Sequence, residues 1–227
     1  MDTTNRISDR RGLIDLIIGI LVFGSLWGLS EVALGGVLKT AGFPYRSGLL
    51  TGIGMAVMAM ALAVSKKPLV PIGVGAVAVL VGLLVVPVLH LSPMCKANSS
   101  LALILESGTL TLAAALIAGR TGKSVFGRVA TGGSAALLAS VAFYFAGTHF
   151  APCAYLLSFT PGSFVVKEGL VWAAFSAILL PAGYSAGERL AENRLTVLTN
   201  RSALYSGSSF VVAVCWGISA LALASGL

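Results

Sequence analysis

The sequence predicts an all-α integral membrane protein, a single bundle of about seven membrane-crossing helices with its N-terminus in the cytoplasm and its C-terminus outside. Three observations lead there. The 227 residues are 57% hydrophobic and only 10% charged, with a mean hydropathy of +0.95, which lies beyond the range of soluble domains. Seven apolar runs approach the length of about 20 residues that a helix needs to cross the hydrocarbon core. They are too long and too continuous for the alternating strands of a barrel, the other structure that satisfies its backbone in lipid. Positive charge, finally, gathers on alternate loops.

Taken in order, the first span covers roughly Leu13–Val37. The polar segment before it, MDTTNRISDRRG, runs into a long apolar stretch and lacks the short apolar core and small-residue cleavage site of a signal peptide. The next three spans are Ser47–Val64, Leu69–Leu89 and Ser99–Ala118, and the last three are Val125–Ala146, Ser163–Ala186 and Ala203–Ser225. Little chain remains for a soluble domain, so residues 1–227 form one membrane domain.

With the N-terminus inside, the cytoplasmic segments hold Arg6, Arg10, Arg11, Lys66, Lys67, Arg120, Lys123, Arg128, Arg189, Arg194 and Arg201. The outer loops hold Lys39, Arg46 and Lys96, and Lys167 lies within a span. Eleven against three is the asymmetry of the positive-inside rule. The net charge of +7 therefore reports orientation, not nucleic-acid binding. The long inner segment Gly187–Ser202 has helical propensity and mixed charge, and predicts a short helix at the cytoplasmic surface.

Two stretches on the outer side follow one plan: His90 to Glu106 (HLSPMCKANSSLALILE) and His149 to Glu168 (HFAPCAYLLSFTPGSFVVKE). Each runs from a His through a Pro and a Cys to a carboxylate inside the next apolar run. Outside a plasma membrane, Cys95 and Cys153 could persist as a disulfide, with Cα atoms about 4.4–6.8 Å apart. The alternative is a Zn or Cu site built from His90, Cys95, His149 and Cys153, since imidazole and thiolate suit those ions. Cys215, in the seventh span, reads as packing, as do Met55, Met58 and Met60 in the second.

Charged groups recur in the outer part of the membrane. Glu31, Glu106, Lys167 and Glu168 lie roughly 7–12 Å below the outer ends of their spans, from the helical rise per residue. An ionised group at such depth faces the bundle interior, paired or hydrated. Gly24, Gly28, Glu31 and Gly35 share one face of the first span, and Ala102, Glu106, Thr109 and Ala113 one face of the fourth. Small residues admit a neighbouring helix, so both carboxylates should point at protein. Trp27, one turn inward from Glu31, could wall a pocket. The expectation is one outward cavity lined by Glu31, Glu106 and Glu168, with Lys167 neutralising one of them. Crowded carboxylates favour a cation or a cationic organic ligand.

A faint repeat accompanies this pattern: Ser47 opens SGLLT in the second span and Ser107 opens SGTLT in the fourth. Two other motifs carry no function here. GRTGKS, from Gly119 to Ser124, lacks the upstream glycine and the preceding strand of a phosphate-binding loop. Asn98-Ser99-Ser100 is a glycosylation sequon that matters only in a eukaryotic secretory pathway. HExxH and CxxC are both missing from the sequence.

The small bundle, the outward cavity and the pair Gly24-x-x-x-Gly28 in the first helix resemble the substrate-binding S components of energy-coupling factor transporters. In that family a small-xxx-small face docks on a transmembrane coupling partner. The resemblance implies capture of a scarce micronutrient at the prokaryotic plasma membrane, with the coupling protein and ATPase subunits supplied by other chains. This chain departs from the family in having seven predicted spans where the family has six. Three functions remain open at this point: a binding or transport subunit for a small molecule or metal cation, a membrane redox protein or enzyme using Cys95 and Cys153, and a ligand-free assembly factor.

Overall fold

The computed structural model describes residues 3–116, 124–197 and 201–226. Positions 117–123, with Arg120 and Lys123, and positions 198–200 of the inner segment lie outside the described residues. Among the described residues all regular structure is helical, and seven helices are long and apolar enough to cross a membrane. The protein is thus an integral membrane helix bundle.

Helix α1 comprises Thr3–Leu29, a single π turn over Ser30–Leu34, and Gly35–Thr40. Helix α2 is Arg46–Ser65, and α3 is Val70–Gly82, followed by a short helix at Val85–Leu89. A 3₁₀ turn at Pro93–Lys96 leads into α4, Ala97–Leu116. Helix α5 is Val125–Phe150. Helix α6 begins at Pro161–Phe164, passes through a second π turn at Val165–Gly169 and continues over Leu170–Val197. Helix α7 is Arg201–Ala224.

Local chemistry sets these ends. Gly42 takes φ +66° in the turn between α1 and α2, a left-handed conformation that suits a residue without a Cβ. Ser124 caps α5 by accepting from the Gly127 N–H. Thr160 and Ser163 form a reciprocal capping box around Pro161, which opens α6 at its first position. The other end of α6 departs from expectation. Residues from Gly187 to Val197 extend α6 itself and are not a separate surface helix, because GERLAENRLTV contains no proline and good helix formers dominate it after Gly187.

Lipid is as apolar as leucine, so close packing across small residues holds such a bundle together. Gly48 and Gly52 of α2 receive Val171 and Phe175 of α6, and a Cβ on Gly183 would collide with the Ala56 carbonyl oxygen. Gly24 and Gly28 of α1 seat Val77 and Val81 of α3, so the small-residue pair is filled within the chain. Trp27, Met55, Met58, Val74, Leu110 and Leu180 form the core of the bundle. Helix α7 is peripheral. Its Trp216 indole donates to Ser25 of α1 at 2.9 Å, while Phe210 and Leu221 point outward. Large apolar side chains are exposed around the bundle, including Ile17, Leu112, Phe145 and Ile178, as lipid permits and water does not.

A polar cluster around the buried Arg128 joins α5 to α6. Arg128, near the start of α5, donates to Ser185 at 3.0 Å and to Glu188 at 2.9 Å. Its guanidinium lies 4.3 Å from the centre of the Tyr184 ring.

Candidate functional site

At the opposite end, toward the α1–α2, α3–α4 and α5–α6 connections, the helices enclose a cavity of about 440 Å³. Glu31, Glu106 and Glu168 all line it. Two of the three are carried on π turns: Glu31 on that of α1 and Glu168 on that of α6. A π turn inserts a residue into the helical register and re-aims the side chains around it, and such turns concentrate at functional sites.

Each carboxylate has a different setting. Glu168 has a donor on each oxygen: Ser47 Oγ donates to one and the Tyr155 phenol to the other, each at 2.6 Å. Glu31 accepts from the Trp27 indole N–H at 3.3 Å. Glu106 is the most deeply held, at 4% exposure. Thr51 Oγ1 donates to its Oε1 at 3.0 Å, and its Oε2 has no partner. Ser47 and Thr51 are one turn apart on α2, so that helix presents one donor to α6 and one to α4. A carboxylate deprived of water and offered a single protein donor retains unused acceptor capacity. A cost of about 1–3 kcal/mol attaches to a buried polar group left unpaired.

The remaining wall is mixed. Phe143, Phe164 and Trp172 supply its aromatic side, with ring centres 5.7 Å apart for Phe143 and Trp172 and 6.2 Å apart for Phe143 and Phe164. The buried Trp172 indole N–H and the Asn98 side-chain oxygen, both on lining residues, also have no partner. Lys39, Arg46 and Lys96 complete the lining. Lys96 and Arg46 are near enough for their charges to act on Glu31, and Glu31 for its charge to act on Glu106. An adjoining recess of about 390 Å³ shares Lys39, Arg46, Ser47, Tyr155 and Glu168. Tyr155 lies between spans, where burial of its phenol, and then its bond to Glu168, push its pKa above the ordinary tyrosine range. It therefore stays a donor at neutral pH.

Several expected members lie elsewhere. Lys167 is exposed outside the cavity, with its ammonium 6.0 Å from the Phe159 ring centre, and it forms no ion pair with Glu168. Neighbouring residues of a helix point about 100° apart, so with Glu168 facing inward Lys167 faces out. Trp27 is fully buried behind Glu31 and does not wall the cavity; its indole packs against Gly54. Cys95 and Cys153 are both free thiols. Cys95 is exposed on the 3₁₀ turn, whereas Cys153 is half-buried in the cavity wall and packs on the core, so they face different surroundings and form no disulfide. His90 and His149 are exposed, His149 lying edge-on to Phe150 at 4.7 Å. Among the described residues no three His, Cys, Asp or Glu side chains are grouped to hold a metal ion. The expected His–Cys centre is thus not assembled, and the three carboxylates ring the cavity without converging on one point.

Some residues of the cavity carried little or no signal in the sequence. Ser47 and Thr51 had a signal, the SGLLT repeat. Its counterpart in α4 is used for packing, with Ser107 against Gly75. Lys39, Arg46 and Lys96 stood out only as markers of orientation, and Asn98 only as a sequon. Trp172, Phe143 and Phe164 carried no signal beyond being aromatic. Comparison of the chain with protein-family models, with curated proteins and with solved structures finds no match.

Proposed function

We propose that this chain is a membrane-embedded binding subunit of a transport process, taking up a small organic molecule at a site open to the outer face. One observation carries this: Glu106, buried among apolar helices, lines a cavity of about 440 Å³ with one carboxylate oxygen unmet. A ligand N–H or cationic group placed there would supply the missing partner. The volume lies within the range of small-molecule pockets, about 300–1,000 Å³, and the mixture of aromatic wall and few polar groups is typical of them. The spread of the carboxylates favours an organic cation over a bare metal ion.

The outward direction follows from the charge asymmetry of the loops. Lys39, Arg46 and Lys96, the three basic residues at the cavity, are those of the poorly charged side. Energy coupling by other chains accords with the resemblance to S components and with the lack of an ATPase motif in this one. Since Val77 and Val81 already fill the Gly24/Gly28 face, a coupling partner would dock elsewhere on the bundle. Native mass spectrometry of the detergent-purified chain tests the proposal. A small molecule should accompany the wild-type protein and be lost from Glu106→Gln. Equal retention by that variant, or a protein that carries none even after incubation with a cell extract, would count against it.

A further inference from the structure

We infer that the cavity takes an ampholyte: a small molecule with an N–H-bearing cationic end seated at Glu31 and Glu106 and an anionic end facing Lys39, Arg46 and Lys96. This rests on the binding function proposed above and names its substrate class. The two kinds of charge occupy different depths. Lys39 lies eight residues beyond Glu31 along α1, about 12 Å toward the helix end. Arg46 starts α2, five residues before Thr51, and Lys96 precedes Glu106 by ten. The cavity therefore has an acidic floor and a basic rim.

Neither layer is closed off by an ion pair among the described residues, and Lys96 and Arg46 act on Glu31 only at longer range. Among the described residues, none of the three rim cations forms an ion pair within 4.0 Å. Glu168, which lines both the cavity and the adjoining recess with Lys39 and Arg46, already has a donor on each oxygen, from Ser47 and Tyr155. At the floor, Glu106 Oε2 and the Trp172 N–H both lack partners. A simple cation would answer the floor and leave the rim unpaired, and a simple anion would do the reverse. A molecule carrying both charges at opposite ends satisfies both layers, and its middle would lie along Phe143, Phe164 and Trp172, which suits an apolar or ring-shaped linker.

Charge-matched probes on the full-length, detergent-purified chain test this. The ring series is benzylamine, benzoate and 4-(aminomethyl)benzoate, and the chain series is butylamine, butyrate and 4-aminobutyrate. Thermal unfolding is followed against probe concentration. In at least one series the amino-carboxylate should reach half-saturation at a concentration at least about tenfold lower than its amine or its carboxylate, the equivalent of about 1.4 kcal/mol. Glu106→Gln should remove the advantage over the carboxylate, and Lys39→Gln with Arg46→Gln the advantage over the amine. Lys39 and Arg46 are exposed, so the rim variant should unfold at the wild-type temperature without probe. If an amine stabilises as well as its amino-carboxylate, or the rim variants change nothing, the rim serves lipid phosphates and the inference falls, while a cation-binding function stands. If a carboxylate alone suffices, the inference falls and the site is anionic. If none of the probes stabilises the protein, the binding function falls with it.

Discussion

Arg128 and Glu106 are both charged residues withdrawn from water, toward opposite ends of the same bundle, and the protein treats them differently. Arg128 is 9% exposed and surrounded by answers: Ser185 and Glu188 accept from it, and Tyr184 lies under it, all within little more than one turn of α6. Glu106 is 4% exposed and answered on one oxygen only. Space differs too, because Glu106 borders the large cavity and Arg128 does not. A fully partnered buried charge fastens helices together. A half-partnered one beside a cavity waits for something the chain does not contain. Under the proposed binding function, the comparison distinguishes a charge that holds helices together from one that meets a ligand.

Substitutions should separate the two in opposite ways. Arg128→Ala has the largest expected effect, a loss of about 2–3 kcal/mol of stability, less than for a fully buried pair because Glu188 is 44% exposed. It should lower the unfolding temperature in detergent and leave probe binding at the other end unchanged. Glu106→Gln reverses the pattern. Probe affinity should fall at least tenfold, about 1.4 kcal/mol, while thermal unfolding of the empty protein stays within about 1 kcal/mol of wild type, because the amide keeps the shape and an acceptor for Thr51.

Smaller effects sharpen the contrast within the site. A Cβ on Gly54 would fall 2.5 Å from the Trp27 indole nitrogen, so Gly54→Ala should displace the ring that holds Glu31. A stability cost of about 1 kcal/mol is expected, at the low end for an overpacked core, with a modest loss of amine-probe affinity measured in the same titration. Tyr155→Phe should cost least, about 0.5 kcal/mol for a single half-exposed hydrogen bond. Its clearer mark is in alkaline titration. The Tyr155 phenol has its pKa raised, by burial first and then by Glu168, so its bond to Glu168 holds below the ordinary tyrosine pKa of about 10 and is lost only as pH climbs through the raised value. The ultraviolet titration of wild type should show a late-ionising tyrosine that disappears in Tyr155→Phe.

How far the sequence revealed this depends on the kind of signal each feature leaves. Run length betrayed the spans: the second was expected at Ser47–Val64 and the helix is Arg46–Ser65. Depth along the spans brought out Glu31, Glu106 and Glu168, because a carboxylate in lipid needs a reason. Direction around the helix was harder. Lys167 and Glu168 are adjacent, and which of them enters the cavity depends on how α6 is rotated against its neighbours, with a π turn at that point whose one-residue insertion leaves no trace in composition. Trp27 was placed one shell too close for a similar reason, since Gly54 draws its ring away from the cavity and that contact spans two helices. The cysteines misled because their matched positions in two loops say nothing of their burial, and Cys153 packs on the core while Cys95 does not. Ser47 and Thr51 were visible as a repeat but not as donors, since their acceptors come from helices far along the chain.

The most direct test is a side-chain-resolution structure of the protein purified from its native membrane, examined at Glu106 and Trp172. The account predicts non-protein density in the cavity within hydrogen-bonding distance of Glu106 Oε2, with the Trp172 N–H partnered by the same molecule or by a water bound to it. A cavity that has closed, with Glu106 Oε2 and the Trp172 N–H bonded to other groups of the chain, or one filled by ordered water alone, would contradict it.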